Sequence, residues 1–113
     1  MRSMSFYYTQ EQIRNRIKTV TRRVGWKDAK PGDHVMAVVK CQGIKRGQKQ
    51  EHLTEIEFVD VRREPLDAIT PEDCAAEGFP DMSPDDFVAM FCDHMMHRPD
   101  WPVTRIEFKY VGT

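Results

Sequence analysis

Five basic side chains and two threonines crowd residues 14–23, RNRIKTVTRR, leaving only Ile17 and Val20 to reach a core. Lys18 and Thr21 are the pair in this run that could do covalent chemistry. A threonine hydroxyl attacks an amide poorly unless a neighbour takes its proton, and a lysine amine takes it only when uncharged. Arg14, Arg16, Arg22 and Arg23 disfavour a further positive charge, as burial would, so both push the Lys18 pKa down. The same stretch also reads as a phosphate-binding surface, with Thr19 and Thr21 as hydroxyl contacts. Tyr7, Tyr8 or Trp26 could then stack on unpaired bases, and KRGQK at 45–49 could extend the basic path. A third reading is a solvated helix face and strand whose arginines pair with the acidic second half of the chain.

Other chemistry is weaker. Cys92, Asp93, His94 and His97 hold metal-ligating types, but a helix does not converge Cys92 and His94 on one ion, and only Asp93 and His97 have i, i+4 spacing. Neither a metal nor a cofactor is expected. Cys41, Cys74 and Cys92 are an odd set without short pair spacing, which suits reduced thiols. Glu77 falls near a helix C-terminus, where a negative charge is mildly unfavourable, a small argument that it serves function.

These residues must be positioned by short elements. Thr9 followed by Gln12 is a capping-box pattern, and Ile13 with Ile17 gives a narrow apolar stripe, so a helix from Gln10 to Ile17 is expected. The β-branched run Thr19, Val20, Thr21 and Val24 then favours a strand. KPGD at 30–33 has type II turn chemistry and leads into a strand, HVMAVVKCQ. GIKRGQKQEH reads as a solvated hairpin connection. LTEIEFVDVRREPL alternates and then shifts phase at Val59, the signature of a bulge. ITPEDCAAEGF carries Thr70 as N-cap, Pro71 at the first helical position and Gly78 just past a two-turn helix that ends with Glu77. MSPDDFVAMFCDHMMHRPD repeats the scheme with Ser83 and Pro84, and Phe87, Met90, Phe91, His94 and Met95 form a helical stripe read as core, with Pro99 closing it. VTRIEFKYV is a last strand with Thr104, Ile106, Phe108 and Tyr110 facing the core and Arg105, Glu107, Lys109 and Val111 facing water.

With 113 residues the chain has room for one core, and a single domain over 1–113 is expected. No apolar run approaches the roughly 20 residues needed to span a bilayer, and the start MRSMSFYYTQ has no apolar leader, so a cytoplasmic protein without a membrane partner is expected. The net charge of −1 hides a division. Residues 1–50 carry 12 Lys and Arg against 3 Asp and Glu, and residues 51–113 carry 5 against 15. Either the basic half meets an anionic partner or the halves fold against each other.

With these elements in place the chain resembles an ASCH domain, a small relative of the PUA RNA-binding barrel, nearly end to end. KTVTRR, KPGDHVMAV, ITPEDCAAEGF and TRIEFKYV carry the resemblance. The family's recurrent lysine, an acidic or hydroxyl residue three positions on and an arginine two further fall on Lys18, Thr21 and Arg23. The threonine version is similar to the small bacterial amidohydrolases that remove the acetyl group from N4-acetylcytidine, and it implies a catalytic set of Lys18, Thr21 and Glu77. In that set Glu77 protonates the leaving amine, while Arg23 or backbone amides hold the oxyanion. The implied fold is α+β, a PUA-like (ASCH) small curved β-barrel with short flanking helices and a pocket where the first helix meets its strand. The implied partner is a modified nucleoside or single-stranded RNA, with Arg14, Arg22, Arg23, Thr19 and Trp26 as contacts. A non-catalytic RNA-binding module is the alternative. A ribonuclease is a third reading, though the chain lacks a nucleophile-activating histidine pair. Two departures from the family stand out: Arg16 sits where glycine is frequent, and the loops around CQGIKRGQKQEH and GFPDMSP are longer.

Overall fold

The computed structural model describes residues 1–41 and 43–112. Its strands are β1 (Arg2–Ser5), β2 (Val20–Arg23), β3 (His34–Val38), β4 (His52–Pro65) and β5 (Pro102–Tyr110), and its helices α1 (Gln10–Arg14), α2 (Pro71–Ala76) and α3 (Pro84–Met95). Single 3-10 turns at Tyr7–Thr9 and Leu66–Ala68 complete it. The strands form one curled, half-barrel sheet in the order β1-β3-β4-β5-β2. β1 runs parallel to β3 and every other pair is antiparallel.

The locally punctuated elements form where their signals lie. Thr70 and Ser83 each accept a hydrogen bond from the backbone three residues on, at Asp73 and Asp86, and a proline follows each cap. The turn at 30–33 closes with Asp33 N–H donating to Lys30 O at 3.1 Å, and Gly32 takes φ 92°. The phase shift in β4 is a register shift between Phe58 and Asp60 against β5. It leaves Val59 out of the ladder, 45% exposed.

Three expectations are corrected. The first helix stops at Arg14 and not at Ile17, and Thr9 makes no capping bond. The Gln12 side chain instead reaches across to donate to Gly78 O at 3.4 Å. β3 ends at Val38, short of the expected strand end, and Gln42 lies outside the described residues. Finally, the second face of β5 is not wet along its length: Val103 and Arg105 are buried. Alternation divides a strand into two faces, but only packing decides whether the second face is covered.

Here the second face is covered at Val103 and Arg105, while Glu107 is half-buried and Lys109 exposed. Met4, Phe6, Ile13, Val35, Ala37, Ile56, Phe58, Ile106 and Phe108 fill the inside of the curl. Leu66, Ile69, Cys74, Phe87, Phe91 and Val103 form a second cluster under α2 and α3. Truncating a core phenylalanine such as Phe58 to alanine costs about 3–5 kcal/mol.

Candidate functional site

The site begins where α1 breaks off. Ile17 N–H donates to Gln12 O at 2.9 Å and Arg16 N–H to Ile13 O at 3.0 Å, a Schellman closure with Arg16 in the left-handed region at φ 57°. That conformation favours glycine, the residue frequent here in the family that the sequence resembles, and Arg16 adopts it all the same. The chain is then pinned from three sides. Lys18 N–H donates to Gln12 O at 3.2 Å, Thr19 N–H to Ala76 O at 2.8 Å, and the Tyr110 hydroxyl donates to Lys18 O at 2.6 Å. The ends of α1 and α2 and the last residue of β5 thus fix the direction of one side chain.

That side chain is Lys18, 2% exposed. Its Nζ donates to the backbone oxygen of Glu77 at 2.9 Å and to Glu77 Oε1 at 2.5 Å. Burial holds its pKa below the ordinary lysine value, Glu77 opposes that shift, and Arg23 and Arg22 reinforce it. Glu77 reaches the site because Gly78, at φ 103°, turns the chain out of α2.

Arg22 locks the other oxygen. Its Nη1 donates to Glu77 Oε2 at 3.3 Å, and its Nη2 donates to Asp73 Oδ2 at 2.5 Å and Glu64 Oε2 at 2.9 Å. Asp73 also accepts from Arg105 Nε at 2.8 Å and Nη2 at 2.9 Å. The Arg105 and Arg22 guanidinium groups together hold the Asp73 carboxyl well below the usual carboxylate range.

Arg23 has no such partner. Its Nε donates to Thr21 Oγ1 at 3.1 Å, and its guanidinium lies 4.6 Å from the centre of the Phe6 ring. Among the described residues no carboxylate forms a salt bridge with it. Burial pushes its pKa down to about 10, leaving it charged at neutral pH.

These groups meet in a pocket of about 240 Å³. Lys18, Thr21, Arg22, Arg23 and Glu77 supply its polar lining; Phe6, Tyr7, Tyr8, Phe79, Phe87, Met90, Phe91, His94 and Met95 supply rings and thioethers. Tyr8 and His94 are exposed and stack at 4.4 Å with 12° between their planes, one ring from the 3-10 turn and one from α3. The ring and thioether lining is large relative to the polar one, the make-up of a small-molecule site.

Two solved structures share this architecture. Protein EF3133 from Enterococcus faecalis V583, of the family model DUF984, matches at a TM-score of 0.66 and 14% identity over 98% of this chain and 76% of its own. The ASCH domain from Lactobacillus crispatus JV V101 matches at a TM-score of 0.61 and 17% identity over 96% and 78%. The fold is ASCH-like. No family model and no curated protein matches the sequence. The expected α+β, PUA-like architecture is therefore present, as a half-barrel with short flanking helices.

Within this ASCH-like fold the residues singled out in the sequence divide. Lys18, Thr21, Arg22, Arg23 and Glu77 share the pocket. Arg14, Thr19 and Trp26 do not line it. Arg14 is held at the surface by Glu11 and Glu51, each at 2.6 Å, and Arg16 lies over the Tyr110 ring at 5.0 Å, so neither acts on Lys18. Thr19 is exposed, its backbone spent on Ala76 and Phe108. Trp26 packs edge-on to Phe58 with Arg2 over its ring at 4.0 Å. The stripe on α3 is only partly core: Phe87 and Phe91 are buried, whereas Met95 is 47% exposed and lines the pocket with His94. Sequence reading missed Glu64 and Asp73 as partners of Arg22, and His94 as partner of Tyr8. An acidic residue in the first turn of α2 was visible at Asp73, but its guanidinium partners lie 32 and 51 residues away. Among the described residues no three His, Cys, Asp or Glu side chains gather as a metal site.

Proposed function

We propose that the pocket binds a single modified nucleobase, free or in short RNA, and hydrolyses an acyl amide on the exocyclic N4 of cytidine. The observation that carries this reading is a buried lysine with a lowered pKa, 2.5 Å from a glutamate, in the pocket that also holds the threonine hydroxyl. At about 240 Å³ the pocket is below the roughly 300–1,000 Å³ of drug-sized sites, which suits one base and not a length of strand. Its rings offer stacking surface for a planar heterocycle.

In this reading Thr21 Oγ attacks the acyl carbonyl while its proton passes to neutral Lys18. The new C–O bond gives a tetrahedral oxyanion, and collapse breaks the C–N bond as a proton reaches the leaving amine through Glu77. Water then hydrolyses the threonine ester. Arg23 donates to the Thr21 oxygen and so favours loss of the hydroxyl proton to Lys18. The supporting physics is the sign of the Lys18 shift: burial makes the neutral amine accessible, as a general base requires.

One observation favours a second reading. Both Glu77 oxygens already accept from cations, Oε1 from Lys18 and Oε2 from Arg22, a fixed arrangement that also serves a non-catalytic binding pocket. Incubating the purified protein with N4-acetylcytidine and following cytidine by chromatography separates the two. Hydrolysis predicts turnover that falls by about 10²–10⁴-fold in each of Lys18→Ala, Thr21→Ala and Glu77→Gln. Binding of the nucleoside without release of cytidine assigns the pocket to recognition.

A further inference from the structure

Arg23 lines a second cavity. This outer, more open depression of about 600 Å³ shares Ser5, Tyr7, Tyr8 and Arg23 with the inner pocket and adds Ser3, Trp26, Lys40 and Cys41. The two spaces therefore meet along Ser5, Tyr7, Tyr8 and Arg23, of which Arg23 alone is charged. The other buried cations beside the pocket are matched: Lys18 by Glu77, Arg22 by three carboxylates, and Arg105 by Asp73. Arg23 has only a hydroxyl and a ring, and its two terminal nitrogens make no hydrogen bond among the described residues. A half-buried cation with no salt bridge among the described residues is unfavourable, and a guanidinium fork is shaped to receive phosphate in two parallel bonds.

The lining of the outer cavity agrees in sign. Among the described residues it holds two cations, Arg23 and half-buried Lys40, and no carboxylate. The nearby Asp28 is taken up by Arg2 at 3.0 Å. The Ser3 and Ser5 hydroxyls donate to Gln50 Oε1 and Val39 O, so an anion here is met by the two cations. Tyr7 and Tyr8, 53% and 60% exposed, stand along the seam between the cavities.

We propose that the outer cavity is an anion subsite taking the phosphate of a nucleotide whose base occupies the inner pocket, so that the preferred ligand is a phosphorylated nucleoside and not the free nucleoside. This rests on the nucleobase reading above. It also gives Trp26 a place, since Trp26 lines the subsite.

Equilibrium binding of cytidine, cytidine 3′- and 5′-monophosphate, ribose 5-phosphate and a cytidine-containing trinucleotide tests it on the protein and its Lys40→Ala and Arg23→Gln variants. At least one monophosphate is expected to bind about tenfold more tightly than cytidine, the worth of one charge-assisted hydrogen bond, and to lose that advantage in both variants. Equal binding of cytidine and both monophosphates overturns the subsite while leaving the base pocket standing. Ribose 5-phosphate bound and cytidine rejected removes the base pocket and keeps the subsite. No binding by any probe removes both. A trinucleotide that outbinds the better monophosphate assigns the anion to a strand; parity assigns it to a mononucleotide.

Discussion

Arg22 and Arg23 are neighbours in β2 with opposite fates. Alternation sends them to different faces of the strand. Arg22 is held by Glu64, Asp73 and Glu77, whereas Arg23 borders both cavities and, among the described residues, hydrogen-bonds Thr21 alone and lies over the Phe6 ring. Identical side chains one residue apart thus do different work: one ties helix α2 to the sheet, and the other spends only its Nε, on Thr21, among the described residues. Charge in a sequence does not tell which arginine folding will match.

The comparison breaks most visibly at Asp73. Replacing it with alanine leaves the buried Arg105 with only Asp60 at 3.9 Å and takes one of three carboxylates from Arg22, and should cost about 3–5 kcal/mol in urea unfolding. A loss below about 1 kcal/mol would mean that the Arg22 face is not a structural lock. The same residue sets an acid limit. Its carboxyl is held below its ordinary 3.8, first by Arg105. It therefore contributes stability that is complete above about pH 4 and is lost as the pH falls through the lowered value. The stability gap between the protein and Asp73→Asn should be full at pH 6 and shrink below pH 4, measured by unfolding at each pH.

Arg23 sharpens the contrast. Because no carboxylate among the described residues forms a salt bridge with it, Arg23→Gln should change stability by less than about 1 kcal/mol, the scale of the cation–π contact it gives up, while Arg22→Gln costs several. Parallel urea titrations of the two variants decide whether the faces differ. The smallest effect belongs to Arg16. Glycine relieves a left-handed backbone at φ 57°, so Arg16→Gly should raise stability by about 0.5–1 kcal/mol, less the contact with Tyr110. A rise in melting temperature would show that the arginine is retained there at a cost.

Much of the fold was legible because its causes are local. Thr70 before Pro71, Ser83 before Pro84, and the KPGD turn carry their own geometry in adjacent residues, and each element forms where those signals lie. The first helix was overrun because its stop is a left-handed non-glycine residue, which composition does not announce. Arg105 was assigned to solvent because a period of two names a face without saying what covers it. At the site, Lys18, Thr21 and Arg23 lie within six consecutive residues and were singled out together. Arg14, Thr19 and Trp26 were drawn in by charge or type and sit elsewhere. The Tyr8–His94 stack joins residues from opposite ends of the chain and left no local trace.

By itself the sequence determined the caps, the turns, the bulge in β4 and the cluster of groups able to move a proton, since each follows from residues in contact along the chain. Which arginine is neutralised, which cavity the cluster faces and what pins Lys18 against Glu77 were decided by the tertiary structure. The Lys18–Glu77 pair spans 59 residues, and its reach depends on α1, α2 and β5 converging on the backbone of two consecutive residues, Lys18 and Thr19. Pairings of that kind are set by the packing of distant elements, where burial and charge matching act together and no short stretch holds both partners.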